Sequence, residues 1–310
     1  MKRYLFFISL ILAIQPLAAN AGSVDWATLN PELSDATYVK DDQKCMECHE
    51  DHANLYEKTA HAKAFKYNPK SGGDGIGCEN CHGPMSKHLD APKKRPALVV
   101  SLKKEGGLLS SKMATVCLQC HEKGRRLLWK GGAHDQNGLG CPDCHVLHAE
   151  GQSVKSEKCY SCHPQTRADF QRSSHIPVRE GQVSCSGCHN PHGSKGPSLL
   201  NEASINDTCY TCHAEKRGPF LWEHAPVREN CMNCHMPHGS NQANLLRIKP
   251  PYLCQQQCHT PRNHPTTAYS GANTVAGGGT PSVYVLGKSC LNCHSQVHGS
   301  NHPSGAVFQR

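Results

Sequence analysis

All 20 cysteines of this 310-residue chain fall into ten signatures of one kind, so none is left for a disulfide. Nine read Cys-x-x-Cys-His, starting at Cys45, Cys78, Cys117, Cys141, Cys159, Cys185, Cys209, Cys231 and Cys290; the tenth runs from Cys254 over three glutamines to Cys258 and His259. Paired cysteines also bind zinc or act as redox dithiols, but neither chemistry needs a histidine directly after every second cysteine. Covalent attachment of haem c does. The two thiols add to the porphyrin vinyl groups, and the adjoining histidine takes one axial position on the iron. The attachment residues are then those nine first cysteines with Cys48, Cys81, Cys120, Cys144, Cys162, Cys188, Cys212, Cys234 and Cys293, plus the Cys254 and Cys258 pair. The proximal histidines are His49, His82, His121, His145, His163, His189, His213, His235, His259 and His294.

The first residues indicate where such chemistry takes place. Lys2 and Arg3 form a positive n-region, Leu5 to Ile14 an apolar h-region, and Ala19-Asn20-Ala21 an A-x-A cleavage site, which makes 1–21 a signal peptide and Gly22 the first mature residue. The apolar run is too short for a retained anchor, and nothing after Gly22 is apolar for long enough to span a bilayer. Export to a bacterial periplasm fits both the signal and covalent haem.

Only six phenylalanines and three tryptophans are present, so side chains alone make a poor core and the porphyrins are expected to supply it. The formal charge of +8 omits two propionates on each haem, which turn the loaded protein acidic. The basic composition is therefore no argument for a nucleic-acid partner.

Residues 22–310 read as a single elongated domain made of five copies of one unit: an odd-numbered motif, a lone histidine, an even-numbered motif and a further histidine behind it. The third and fourth copies share Cys-Tyr-x-Cys-His at Cys159 and Cys209, His-x-Pro-Val-Arg-Glu at His175 and His224, and Cys-x-x-Cys-His-x-Pro-His-Gly-Ser at Cys185 and Cys231. Their spacing of 46 to 50 residues signals a quasi-linear stack. The fold class is thus a multihaem cytochrome c with little regular structure, short helices and loops around a linear array of ten haems. Helices are expected over Lys112 to Lys123 and Gln165 to Arg172, and no alternating run supports a sheet. Gly83 to Val116, carrying Lys93-Lys94-Arg95 and Lys103-Lys104, and Ser270 to Lys288 read as surface loops. The basic loop suits a solvated face or pairing with propionates better than docking of an acidic cytochrome.

Of the 22 histidines, twelve are not proximal, and the repeat selects ten of these as distal ligands: His61, His88, His134, His148, His175, His192, His224, His238, His264 and His298. Two imidazoles on opposite sides of one iron need their Cα atoms roughly 12 Å apart, whereas three extended residues reach only about 10 to 11 Å. His148, His192 and His238, each three residues after a proximal histidine, therefore serve a neighbouring haem. Spacing alone leaves the other assignments open. His52 and His302 are spare, with His302 able to compete for the place of His298. Methionine ligation is disfavoured, because Met46 and Met232 lie inside attachment loops and Met85 and Met113 occur singly.

The run from Ser204 through Asn206-Asp207-Thr208-Cys209 to Glu215-Lys216-Arg217-Gly218-Pro219 and Trp222-Glu223-His224-Ala225-Pro226-Val227, with the run Ser289 to Gly305, resembles the MtrA/DmsE family of periplasmic decahaem cytochromes, including its MtoA and PioA branch. The resemblance covers essentially the mature chain and departs from it at Cys254 to His259. It implies an electron-transfer protein inserted into an outer-membrane β-barrel porin, joining periplasmic donor or acceptor cytochromes to the cell exterior. The terminal reaction on this reading is metal or dimethyl sulfoxide reduction or Fe(II) oxidation, with an extracellular multihaem cytochrome as a further partner. Two alternatives share the motifs: a soluble periplasmic electron store, and a multihaem oxidoreductase, which needs an open iron often flagged by Cys-x-x-Cys-Lys. No such variant occurs.

Ten attachments give a direct test. The intact mass of the purified protein is expected to exceed the Gly22 to Arg310 polypeptide by ten haems, nine would point to the Cys254 signature, and eight or fewer would refute the repeat.

Overall fold

The computed structural model describes residues 24–67, 77–94, 98–102, 109–149, 154–259 and 290–308, without the side chains of 255–257. The signal peptide, Arg95, the Lys103-Lys104 pair, His264 and the stretch Ser270 to Lys288 lie outside the described residues.

The chain forms two compact units, one of Met1–Glu122 with Gly138–Glu150 and one of Lys123–Asn137 with Gly151–Arg310. Among the described residues there is no β-strand, and the α-helices are short, as expected of chain punctuated by Pro, Gly and Asn. None is long and apolar enough to cross a membrane.

The first unit holds α1 (Trp26–Leu29), α2 (Asp42–Glu57), α3 (Ala60–Tyr67), α4 (Glu79–His82), α5 (Ser86–Asp90) and α6 (Ser110–His121). Asp41 starts α2 by accepting the Gln43 N–H at 3.1 Å, and the helix breaks at His49, the histidine of the first motif. A small side-chain core forms here from Leu29, Leu33, Val100 and Val116, flanked by Trp26, Ala36 and Leu102. Met113 is fully buried beside this face of α6, and Leu98 is also inside.

That corrects the reading of Gly83 to Val116 as a surface loop. The stretch contains α5 and the start of α6, and it supplies buried Met85, Leu98, Val100, Met113 and Val116. Its apolar residues stand in short runs of one to four between polar residues, glycines and prolines, so no period shows in the sequence. Of its basic residues, Lys87 pairs with Asp35, and Lys94 with Glu32 at 3.1 Å.

The second unit holds α7 (Ala133–Gln136), α8 (Ser156–Tyr160), α9 (Pro164–Asp169), α10 (Cys185–Cys188), α11 (Ile205–Tyr210), α12 (Ala225–Glu229) and α13 (Tyr252–Gln257). Proline opens α9 and lies in the first turn of α12, where a missing N–H costs nothing. Ser204 caps α11, its hydroxyl accepting the Asp207 N–H at 3.0 Å. The α6 and α9 helices fall on the two expected from sequence.

Neighbouring copies are stitched by isolated antiparallel bridges. Ser174 and Ser240 exchange both backbone hydrogen bonds at 2.9 and 2.7 Å, and Trp222 and Ser300 do the same at 3.0 Å each. Each bridge lays the segment of a lone histidine against the segment trailing the next copy's even motif. The glycine after the trailing histidine makes that approach possible. A Cβ on Gly239 would sit 1.9 Å from the Asp169 carbonyl, and one on Gly193 would sit 2.1 Å from that of Leu128, with both glycines at positive φ. The substitution Gly239→Ala is therefore expected to destabilise the second unit by about 2 kcal/mol or more, read as a lower denaturant midpoint by far-ultraviolet circular dichroism.

Candidate haem-binding centres

In seven of the regular signatures the backbone closes the same turn. The histidine N–H donates to the carbonyl of the first cysteine at 2.9 to 3.0 Å in the motifs ending at His82, His145, His163, His189, His213, His235 and His294. The lengthened signature keeps this bond: His259 donates to Cys254 at 3.0 Å across one more residue. The extra glutamine is taken up as a single wider, π-like turn, and the histidine stays in register with both thiols.

The thiols show how the motifs lie along each unit. First cysteines of the two motifs in one copy lie close enough to shift each other's pKa: Cys45 with Cys78, Cys117 with Cys141, Cys209 with Cys231 and Cys254 with Cys290. Tyr160 lies beside both Cys159 and Cys185 in the third copy. Second cysteines meet between copies. Burial first, and then the thiol of Cys120, Cys212 or Cys258, raises the pKa of Cys81, Cys188 and Cys234 respectively. Contacts thus alternate from first thiols to second thiols, and within each unit the motifs follow one another in chain order. Asp42, Cys45 and Cys78 converge within 4.8 Å, which is the meeting point of the first two motifs; thioether formation would remove both thiolates from it.

Histidine rings face each other at a repeated distance. Centroid separations are 6.3 Å for His49 and His88, 5.8 Å for His61 and His121, 6.1 Å for His82 and His148, and 6.4 Å for His134 and His163. They are 6.0 Å for His189 and His238, and 6.1 Å for both His224 with His259 and His235 with His298. An iron held by two imidazole nitrogens at about 2 Å each sets ring centroids roughly 6 Å apart, so these pairs have the spacing of an axial ligand set.

A simple rule generates six of them. The lone histidine of one copy meets the odd-numbered motif of the next, as His61, His134 and His224 do. The histidine trailing an even-numbered motif meets the even-numbered motif of the preceding copy, as His148, His238 and His298 do. In the first copy His88 turns to His49 instead.

Hydrogen bonding prepares the same atoms for a metal. Nδ1 of His82 bonds the Val100 carbonyl at 2.9 Å, Nδ1 of His134 that of Pro191 at 2.8 Å, and Nδ1 of His224 that of Val297 at 3.0 Å. A carbonyl only accepts, so Nδ1 carries the hydrogen and Nε2 keeps its lone pair, the usual arrangement of a metal-binding imidazole. Burial lowers the pKa of His82, His148, His238 and His298, which favours the neutral form that a metal takes. Tyr56 Oη, Trp129 Nε1 and Tyr160 Oη are buried without a hydrogen-bond partner among the described residues, and they sit beside His148, beside His192 and between Cys159 and Cys185. Three stranded donors beside attachment motifs are suited to propionate oxygens. The residues present fit haem c.

The other sequence-selected histidines are placed differently. His175 donates Nδ1–H to Arg172 at 2.8 Å and turns Nε2 to Glu180 at 3.1 Å, while Nδ1 of His213 lies 3.5 Å from Glu215. His192 lies 6.3 Å from the Trp129 ring. Nδ1 of His302 accepts the Ser304 N–H at 3.1 Å, so its hydrogen is on Nε2 and that nitrogen has no lone pair to offer. His298, stacked on His235 at 14°, is the better placed of the two. His52 lies 6.0 Å from His49 and 5.8 Å from His148, a third ring at the first two centres.

Residues 175–218 and 224–264 match the family described as the doubled CXXCH motif, and residues 78–156 the NrfB-like cytochrome c-type proteins. The fold and the motifs define a multihaem c-type cytochrome, an electron-transfer protein. The chain is 41% identical over 290 residues to the multihaem cytochrome MtrA of Shewanella baltica strain OS185, covering 92% of this chain and 86% of that one, and it belongs to the MtrA family. Similarity to cytochrome c-552 of Porphyromonas gingivalis is 27% over 161 residues and to that of Bacteroides fragilis 28% over 177, where this chain spans 31% and 34% of those proteins.

The pairings separate two histidines by experiment. His298→Ala is expected to convert one low-spin ferric haem to high spin in the electron paramagnetic resonance spectrum, with attachment unchanged. His302→Ala is expected to leave the spectrum as it is; the reverse result would exchange their roles.

Proposed function

We propose that the mature protein carries ten covalent haems c, each capped by two histidines, and conducts electrons between periplasmic carriers and the cell exterior inside a separate outer-membrane β-barrel porin. The observation that carries this reading is the facing of histidines from successive copies at one iron-sized spacing. Bound haem c supplies an iron that takes up and gives back one electron. The chain's own part is to cap that iron on both sides and to hold each motif against the next.

By the same rule His175 serves the motif of His213, exchanging Glu180 for iron; His264 departs from it and serves the motif of His294 within the fifth copy. With every iron capped there is no open position for a substrate, which supports conduction over multihaem enzyme chemistry. Negative potentials follow, because two imidazoles stabilise ferric iron more than a methionine pair partner does.

Membership of the MtrA family supports the periplasmic side, the barrel and the partner cytochromes. A barrel would keep propionates and polar loops away from lipid hydrocarbon. Metal or dimethyl sulfoxide reduction and Fe(II) oxidation are the reactions such a conduit would feed.

The test is reconstitution of the chain with its outer-membrane barrel in liposomes that enclose a reducible dye, with an impermeant reductant outside. Dye reduction is expected with both proteins and with neither alone. No transfer with both present, or transfer at the same rate without the barrel, would favour a soluble periplasmic electron store.

A further inference from the structure

The even-numbered motifs of the third and fourth copies share a returning turn. Behind His189 the chain passes through Ser198 and Leu199, and behind His235 through Asn244 and Leu245, all four in the left-handed region at φ of 51° to 59°. The carbonyl of the first residue accepts the imidazole Nδ1–H, Ser198 from His189 at 2.9 Å and Asn244 from His235 at 2.8 Å. The carbonyl of the second accepts the N–H of the residue after the histidine, Leu199 from Asn190 and Leu245 from Met236, both at 2.7 Å. Bulky residues stay left-handed only where their surroundings over-determine them. Here the two accepted hydrogen bonds do so.

The fifth copy builds the same clamp from other residues. Val307 accepts Nδ1–H of His294 at 2.5 Å, Phe308 accepts the Gln296 N–H at 3.0 Å, and Phe308 is left-handed at φ 53°. It differs in three respects: only its second residue is left-handed, the N–H that residue accepts belongs to the second residue after the histidine rather than the first, and that residue is aromatic. Where the earlier copies carry leucine, Phe308 places its ring 5.2 Å from that of His224, and His224 faces His259 in the ninth centre. One residue therefore touches two centres, the ninth through its ring and the tenth through the backbone turn that aims Val307 at His294.

The geometry points to Phe308 as a positioning residue shared by the ninth and tenth haem centres, its ring fixing the rotation of His224 and its left-handed backbone holding the acceptor of His294. This rests on the bis-histidine reading above. Ligand-ring rotation sets the low-spin spectrum, and Nδ1–H donation makes an imidazole more basic and so favours ferric iron.

Two substitutions separate the parts. Phe308→Gly keeps a left-handed backbone without strain but removes the ring. Phe308→Pro cannot reach positive φ and removes the turn as well. Both are compared with wild type and with His224→Ala by intact mass, by electron paramagnetic resonance of the ferric protein, and by a redox titration.

With the haem count unchanged, Phe308→Gly is expected to shift the low-spin signal that His224→Ala abolishes and no other. Phe308→Pro is expected to shift that signal and a second one, whose reduction moves to higher potential, while Phe308→Tyr restores the wild-type spectrum. A Phe308→Gly spectrum identical to wild type, a Phe308→Pro spectrum identical to that of Phe308→Gly, or haem loss in either variant overturns the inference. If His224→Ala abolishes no low-spin signal, the ligand reading beneath it fails instead.

Discussion

An iron capped by two imidazoles needs donors on opposite sides of a porphyrin, and a chain tethered at one side by three local attachments cannot reach the other side within three residues. Most of this architecture follows from that limit. On the bis-histidine reading the second imidazole comes from a neighbouring copy in the six pairs that follow the rule, from the preceding copy for the odd motifs and from the next for the even ones. In the first copy His88 faces His49 of the same copy. The bridges from Ser174 to Ser240 and from Trp222 to Ser300 lie where these exchanges occur. They bring a lone histidine and a trailing histidine past each other on adjacent backbones. The close glycines at 193 and 239 are a consequence of the same crossing, since a side chain there would hold the segments apart.

Side-chain packing is unevenly spread as a result. In the first unit Leu29, Leu33, Val100 and Val116 form an ordinary apolar cluster, and α6 lays Met113 and Ala114 inward beside it. In the second, the buried apolar residues Trp129, Phe170, Val178 and Leu253 belong to separate stretches of chain, and backbone hydrogen bonds carry much of the local order. On the haem-bound reading, porphyrins would supply the buried area there, with covalent and axial bonds standing in for a core that so few aromatic residues cannot make.

The motifs, the helices at 112–123 and 165–172 and the lack of strands among the described residues were legible because each depends on local residue order. So was the rule that His148 and His238 cannot serve their own motifs, which needs only chain length. The direction of each exchange was not legible, because spacing bounds how far a histidine reaches without saying which neighbour it faces. The core beneath Gly83 to Val116 was hidden for a different reason. Leu98 and Val100 stand in a short run between proline and lysine, and Val100 packs against Leu29 and Leu33, far away in sequence. The clamps on Nδ1 were also missed, since they are made by backbone carbonyls and leave a trace only in the paired Ser198-Leu199 and Asn244-Leu245 turns.

Chain order is kept in space within each unit, first thiols meeting inside a copy and second thiols between copies, so contacts beyond the next copy are not needed to define any centre. Stability and ligation in such an array are nearest-neighbour properties. The lengthened Cys254 signature illustrates what this permits. Its extra residue is absorbed in a single turn because the only demands on it are local: the His259 N–H must still reach Cys254, Cys258 must still lie near Cys234, and the ring must still face His224. A change that preserves those three contacts leaves the rest of the row untouched. A change that breaks one removes a cap from one neighbour and goes no further, because that neighbour's own thiols and proximal histidine are held by its own segment of chain.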